Sequence, residues 1–381
     1  MGLNHLRTWT VFHICLFITF LVSSIIINVV QAVLYFSIGI VSKTLYRAIN
    51  GCLVWQIHAQ VIFVGSWWSR SYYRLHCQKD VINGVEGQKA ILFLNHTNEL
   101  DWLFSWVFCN SFGVLGNGKA VVKTALKYIP TFGWAWAYSD FIFLKRNWKK
   151  DKEIINQGID TLQSYPSSMW LLFFPEGTRI SPNKLEESQI FAKERRLPVL
   201  KHHLIPRTKG FVQMLNRLDT NKISYVYDAT LGIHPSDGGE ATLTNILLGK
   251  KTVGDIYLRR YKTSDIPKDE EGAQNWLMNL YREKDELLGY YKETRGTKFS
   301  ENDVPVITVP KTLGVLVNTV LLNLSICTPI LYKLCLMLLS GNNFEMCVVI
   351  SIVLALYVIM KKFIDLTKIS KASKYGEKKQ E

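Results

Sequence analysis

Hydrophobic positions fall into two strongly apolar blocks near the ends of the chain and a broken, alternating pattern between them. No charged side chain occurs between Arg7 and Lys43, in the run WTVFHICLFITFLVSSIIINVVQAVLYFSIGIVS. That exceeds the roughly 20 residues a helix needs to cross a bilayer. A signal peptide has an apolar core of only about 7–15 residues and a small-residue cleavage site, so the segment reads as retained. A second charge-free stretch, between Arg47 and Arg70, is broken by Gln56, His58 and Gln60 and closed by Trp67 and Trp68. This pattern fits an interfacial or re-entrant segment as well as a spanning one. Apolar runs return at Thr312–Tyr332 and Leu334–Met360. The turn-forming SGNNFE in the second of these predicts a helical hairpin reversing around Ser340–Glu345 or just before it.

Between residues 70 and 309 the apolar runs are short, rich in β-branched residues, and stop at polar ones, as buried strands do. Strands are predicted at Ala90–His96, Asp140–Arg146, Met169–Pro175 and Ile223–Leu231. Helical spacing joins Ile154, Ile155, Ile159 and Leu162, and again Trp276, Leu277, Leu280, Tyr281, Leu287 and Leu288 within Asp269–Tyr291. Strands alternating with helices imply an α/β fold, a largely parallel or mixed sheet flanked by helices. The expected organisation is membrane-embedded helices over 1–69, a cytosolic α/β domain over 70–309, a transmembrane hairpin over 310–362 and a basic cytosolic tail over 363–381.

Charge supports that orientation. The net charge of +14 could suit nucleic acid, but Lys361, Lys362, Lys368, Lys371, Lys374, Lys378 and Lys379 all follow the last apolar run. Basic residues flanking a span lie on the cytosolic side, so a bilayer is the expected partner and nucleic acid is not. The last four residues, KKQE, also match a dilysine endoplasmic-reticulum retrieval signal. The seven cysteines contain no C-x-x-C pair, and five of them fall in apolar runs, so neither a metal site nor a disulfide framework is expected.

Candidate chemistry sits where the predicted strands end. In NHTNELD, Asn98 is a good N-cap and Asp101 the N3 residue of a capping box opening an apolar helix. With His96 in the loop and Asp101 in the first turn, the carboxylate can meet the imidazole, fix its tautomer and leave the other ring nitrogen as a proton acceptor. The positive end of the helix should help keep Asp101 ionised. Taken alone, the spacing favours a strand-end histidine and a capping acid. Further clusters shift the balance: FPEGTR, where Pro175 and Gly177 make a turn expected to leave Glu176, Thr178 and Arg179 facing outward; Lys145 and Arg146 in FLKR; and Arg207 and Lys209 in HLIPRTKGF. Arginine offers a planar fork for phosphate. GVLGNGKA, residues 113–120, nearly matches a P-loop, but Ala120 replaces the Mg²⁺-binding hydroxyl. His202 and His203 lack further ligands at metal spacing, and Asn95-His96-Thr97 is a glycosylation sequon expected to be unused on a cytosolic domain.

NHTNELD, FLKR and FPEGTR, in that order, resemble the conserved blocks of the glycerolipid acyltransferases, which include the 1-acylglycerol-3-phosphate acyltransferases. LPVLKHHLIPRTKGF, DIPKDEEGAQNWLMNLYREKDELL and the paired C-terminal apolar runs are similar to the gamma and delta types, so the resemblance covers nearly the whole chain. It implies acyl-CoA-dependent acylation of the free hydroxyl of lysophosphatidic acid, with His96 as general base and Asp101 orienting it. It also implies an acceptor pocket of Arg146, Glu176, Gly177, Thr178, Arg179 and Lys209. Acyl-CoA enters as co-substrate, with no metal or further cofactor, because a thioester is already activated. Another lysophospholipid acceptor, such as lysophosphatidylinositol or lysocardiolipin, and a non-catalytic membrane-shaping role remain open. One departure is SYVYDATL, which lacks the proline common in the family's final block. The absence of G-x-S-x-G argues against a serine lipase.

Overall fold

The computed structural model describes residues 3–83, 85, 87–301 and 304–368; the KKQE lysines and the tail from 369 onward lie outside them, while residues 363–367, expected to belong to that tail, continue the last helix. Among the described residues four helices are long and apolar enough to cross a membrane: Thr10–Val41, Lys43–Trp68, Leu313–Leu339 and Asn343–Leu366. The first two form a hairpin whose turn is capped where the Ser42 hydroxyl accepts from the N–H of Leu45. The Arg47–Arg70 stretch, read as interfacial as readily as spanning, is thus part of one continuous helix. Its polar residues are used internally, Gln60 bonding to Ser23 and His58 stacking on Trp106 at 4.0 Å. The C-terminal pair reverses at Ser340–Asn342, where the Asn342 side chain accepts from Phe344 N–H, within the turn the sequence predicts.

Between the hairpins lies a mixed sheet. In chain order its strands are β1 (Tyr72–His76), β2 (Lys89–Leu94), β3 (Gly118–Lys123), β4 (Ile142–Leu144), β5 (Met169–Phe173), β6 (Tyr225–Pro235), β7 (Thr252–Lys262) and β8 (Val306–Val309). Their spatial order is β4-β3-β5-β2-β6-β7-β1-β8. The five strands from β4 to β6 run parallel, β7 turns antiparallel against β6, and β8 closes the far edge antiparallel to β1.

Both faces of the sheet are covered, which explains the unbroken apolar runs of the central strands. Along β2, Ala90, Leu92 and Leu94 face one core with Leu103, Phe104 and Phe108, while Ile91 and Phe93 face the other with Ile155, Ile159, Phe211 and Leu277. The second core is built by three amphipathic helices, Trp148–Gln163, Thr208–Arg217 and Glu270–Glu293. The last carries Lys284 inward to Asp228 of β6 at 2.6 Å.

Strands β1, β3, β7 and β8 are absent from the sequence reading. β7 hides because buried polar residues break its pattern: Asp255 is fully buried and accepts from Arg74, His76 and Tyr291. β3 hides in the P-loop-like GVLGNGKA, which follows a helix and enters a strand, the reverse of a P-loop's order.

The first core also holds the Asp101–Ser111 helix in place. A Cβ added at Gly254 of β7 would stand 1.9 Å from the Phe104 ring of that helix. Gly254→Ala should therefore cost about 1–3 kcal/mol by overpacking, read as a lowered thermal midpoint in detergent. Adding Phe104→Leu should recover part of the loss.

Candidate active site

His96 lies two residues beyond β2, and its position is fixed mostly through the backbone. Asn95 locks the strand end to β6, accepting from Leu231 N–H at 2.7 Å and donating to Leu231 carbonyl at 2.9 Å. The N–H of His96 donates to Glu176 Oε1 at 2.8 Å, and its carbonyl accepts from Ile180 N–H at 2.9 Å. The chain then turns. Leu100 N–H donates to the Asn98 side chain, and Asn98 N–H donates to Asp101 Oδ2 at 2.8 Å. The second bond is one half of the predicted capping box; Asn98 reaches Leu100 and not Asp101, and the helix begins later than the sequence reading places it, with Leu100 as N-cap and Asp101 as first residue. The tight turn brings Asp101 Oδ2 to 3.2 Å from His96 Nδ1.

Burial lowers the pKa of His96 below its ordinary 6.5, and the charges of Arg179 and Lys184 add to this, against Asp101, which raises it. The imidazole is therefore neutral at pH 7, with Nε2 the ring nitrogen not engaged by Asp101. Burial raises the Asp101 carboxyl above its ordinary value, although His96 and the N–H groups of Asn98 and Thr97 oppose the shift. Phe174 covers the imidazole, with ring centroids 4.8 Å apart.

Glu176 requires a correction. It does not face outward: it is fully buried, and its two oxygens accept from the N–H groups of His96 and Leu204, at 2.8 and 3.1 Å. The Pro175–Gly177 turn directs this side chain inward because the two loops it joins carry backbone donors that nothing else satisfies. Burial pushes its carboxyl up to about 8, while the same two donors pull it down. Lys209 is also misplaced by the sequence reading. It is exposed on the Thr208–Arg217 helix, whose opposite face enters the second core through Phe211, Val212, Met214 and Leu215, and it does not line the cavity beside His96.

Gly177, Thr178, Arg179 and Arg146 do share that cavity with His96. Gly177 adopts φ +68°, a left-handed conformation natural to glycine, and a Cβ there would press on Arg207 at 3.0 Å. Two cations were not singled out from sequence. Lys184, buried on the Pro182–Glu194 helix, donates to Thr178 Oγ1 at 3.0 Å and to the Arg179 carbonyl at 2.9 Å. Lys123 ends β3 and lines the cavity. Burial first, and then the neighbouring arginines, lower the pKa of both lysines. Only knowledge that β3 ends beside β4, with Lys123 in register with Leu144, could have found Lys123, because its local sequence resembles any solvated strand end.

The cavity measures about 440 Å³. Away from its cationic end it is mostly apolar, walled by Phe17, Val61, Trp106, Phe132 and Phe363 among others, and all four long helices contribute to it, the third through Thr319 and Asn323. A neutral, oriented base beside clustered positive charge and an apolar chamber can bind an anionic amphiphile and accept a proton from it.

The family model described as Acyltransferase matches residues 74–233, and that described as Acyltransferase C-terminus matches residues 245–322. The chain is 38% identical to 1-acyl-sn-glycerol-3-phosphate acyltransferase gamma of Homo sapiens over 294 residues, 77% of each chain. It is 33% identical to the delta enzyme of Homo sapiens over 364 residues, 96% of this chain and 94% of the relative. Among solved structures, the 1-acyl-sn-glycerophosphate (LPA) acyltransferase PlsC of Thermotoga maritima aligns at 14% identity over 73% of this chain and 97% of that one. Its TM-score is 0.38, too loose to bear on mechanism.

Removing both acceptors of the Glu176 clamp strands two backbone donors, each costing about 1–3 kcal/mol when buried. Glu176→Ala should lower the thermal midpoint and reduce turnover by about 10²-fold or more. Lys209→Ala, outside the cavity, should leave turnover within about 2-fold, as exposed substitutions usually do.

Proposed function

This chain belongs to the 1-acyl-sn-glycerol-3-phosphate acyltransferase family, and from that premise we propose that it transfers an acyl group from acyl-CoA to the free hydroxyl of 1-acyl-glycerol-3-phosphate. That the protein is an acyltransferase follows from the family; the donor, the acceptor and the residue roles are our reading. The observation that carries it is the contact of His96 Nδ1 with Asp101 Oδ2 at 3.2 Å, in a cavity that also holds Thr178, Arg179 and Arg146.

In this mechanism His96 Nε2 takes the proton of the acceptor hydroxyl as its oxygen attacks the thioester carbonyl. Asp101 stabilises the resulting imidazolium. Collapse of the tetrahedral intermediate breaks the carbon–sulfur bond, and the departing thiolate recovers the proton from His96. A positioned base of this kind contributes about 10²–10⁴-fold. Arg146, Arg179 and Lys123 would take the acceptor phosphate, and Lys184 would hold Thr178 and the Arg179 backbone in place. Glu176 acts through the backbone of His96 as a positioning residue.

The four candidate spans among the described residues, an even number, and Lys361 and Lys362 near the end of the last with Lys368 just beyond it support a catalytic domain on the cytosolic side, while KKQE supports the endoplasmic-reticulum membrane. The Asn95 sequon should then carry no glycan, which endoglycosidase treatment of microsomal protein would reveal by an unchanged mobility.

The direct test supplies microsomes or detergent-purified protein with labelled acyl-CoA and a panel of lysophospholipids. Phosphatidic acid should form from lysophosphatidic acid, and His96→Ala should lose about 10²–10⁴-fold. Activity surviving in that variant would remove His96 as the base.

The pH profile supplies a second check. Protonation disables the base, so kcat/KM should fall on the acid side, and because His96 is shifted downward the fall should begin below pH 6.5. Arg179→Ala removes a charge that lowers the His96 pKa and should move this limb toward neutrality. Asp101→Asn removes the partner that raises it and should move the limb further to acid, on a lower plateau.

A further inference from the structure

The cavity beside His96 is closed by a part of the chain that lies beyond both matched acyltransferase regions. The second of these ends at residue 322, yet Met360, Phe363, Ile364 and Leu366, in the last two turns of the Asn343–Thr367 helix, line the same cavity as His96 and Arg179. The helix packs unevenly against the rest of the molecule. Among its described apolar side chains only Val349 and Met360 are buried, whereas Ile350 and Leu354 remain 54% and 59% exposed. At its C-terminal end Phe363 meets Phe17 of the first long helix edge-on, with ring centroids 5.6 Å apart and planes at 66°. A helix serving only as an anchor has no need to line a reaction cavity.

We propose that the C-terminal end of this helix, through Met360, Phe363 and Ile364, is a wall that selects the hydrocarbon chain admitted beside His96. The inference rests on the acyl-transfer reading and deepens it by naming a specificity element. A wall of aliphatic and aromatic side chains recognises hydrocarbon alone, because it offers no polar partner for anything else. Each methylene that fits gains about 4-fold in binding, and one that meets the wall loses that gain and clashes as well. Phe363 suits the task because Phe17 backs its ring and limits its retreat. The chain against the wall could belong to the acyl donor or to the lysophospholipid, two sources of the same chemistry.

The test uses full-length protein in lipid nanodiscs and two substrate series. One varies saturated acyl-CoA length against a single lysophosphatidic acid; the other varies the acyl chain of lysophosphatidic acid against a single donor. Phe363→Ala should raise the ratio of kcat/KM for long over short chains by about 10-fold or more in one series, which identifies the source. Met360→Trp should shift the same ratio the other way. Phe17→Ala, which removes the support of Phe363, should resemble Phe363→Ala, and Leu354→Ala, on the exposed part of the helix, should leave the ratio within about 2-fold. Phe363→Leu gives a milder replacement should the alanine variant fail to fold. Unchanged length profiles in active Phe363 and Met360 variants would overturn the wall while leaving acyl transfer intact. Absence of acyl transfer by the unsubstituted protein on every substrate would instead overturn the reading on which the wall rests.

Discussion

Two parallel strand ends meet at one carboxylate, and the site depends on that junction. β2 and β5 are neighbours in register, Phe93 beside Phe173, so their loops leave the sheet at the same rim. Glu176, from the loop after β5, accepts the N–H of His96 after β2, while Ile180 returns a bond to the His96 carbonyl. The second Glu176 oxygen gathers Leu204, which brings a third loop into the same unit. Side-chain geometry at His96 follows from this backbone clamp, because an imidazole can be aimed only as accurately as its own Cα is held. The short turn to Asp101 then completes the pair within a few residues of chain.

Electrostatics of the rim are unbalanced in one direction. Arg146, Arg179 and Lys123 line one end of the cavity with Lys184 bonded to Thr178 beside them, and burial first, then these neighbouring charges, lower the pKa of both lysines and of His96. Such crowding of like charge costs free energy in the protein alone and is relieved by an anionic ligand, which makes the arrangement better suited to binding than to stability. It also serves the base. A histidine paired with a buried carboxylate would otherwise gain proton affinity, and the surrounding positive charge helps to hold it neutral.

The long helices do more than surround this chemistry. The N-terminal hairpin docks on the α/β domain through polar contacts, Tyr46 and Asn50 both donating to the Tyr138 carbonyl and Arg47 pairing with Asp140 at 3.1 Å. Gly116 allows the closest approach, since a Cβ there would lie 2.1 Å from the Gly51 carbonyl oxygen. The hairpins also meet each other, Thr19 donating to Asn323 at 2.9 Å. Apolar walls and a polar reaction centre thereby share one chamber, with the amphiphile's two chemistries matched at its two ends.

Much of this was legible in the chain itself. Length and apolarity determined the long helices, because a charge-free run of that extent has few other places to go; residue order alone also marked the α/β class, the central strands and the short-range pair of His96 and Asp101. Only the tertiary structure decided matters that depend on which strands lie side by side and which way a turn faces. It directed Glu176 inward to satisfy backbone donors from two other loops and left Lys209 on an outer helix face. It brought Lys123 and Lys184 to the rim from segments with no local signature. β7 stayed hidden because the partners that let Asp255 be buried are distant in sequence. The closing turns of the last helix read as ordinary apolar span; their place against the cavity follows from packing between segments more than three hundred residues apart, such as Phe17 and Phe363, which no local pattern encodes.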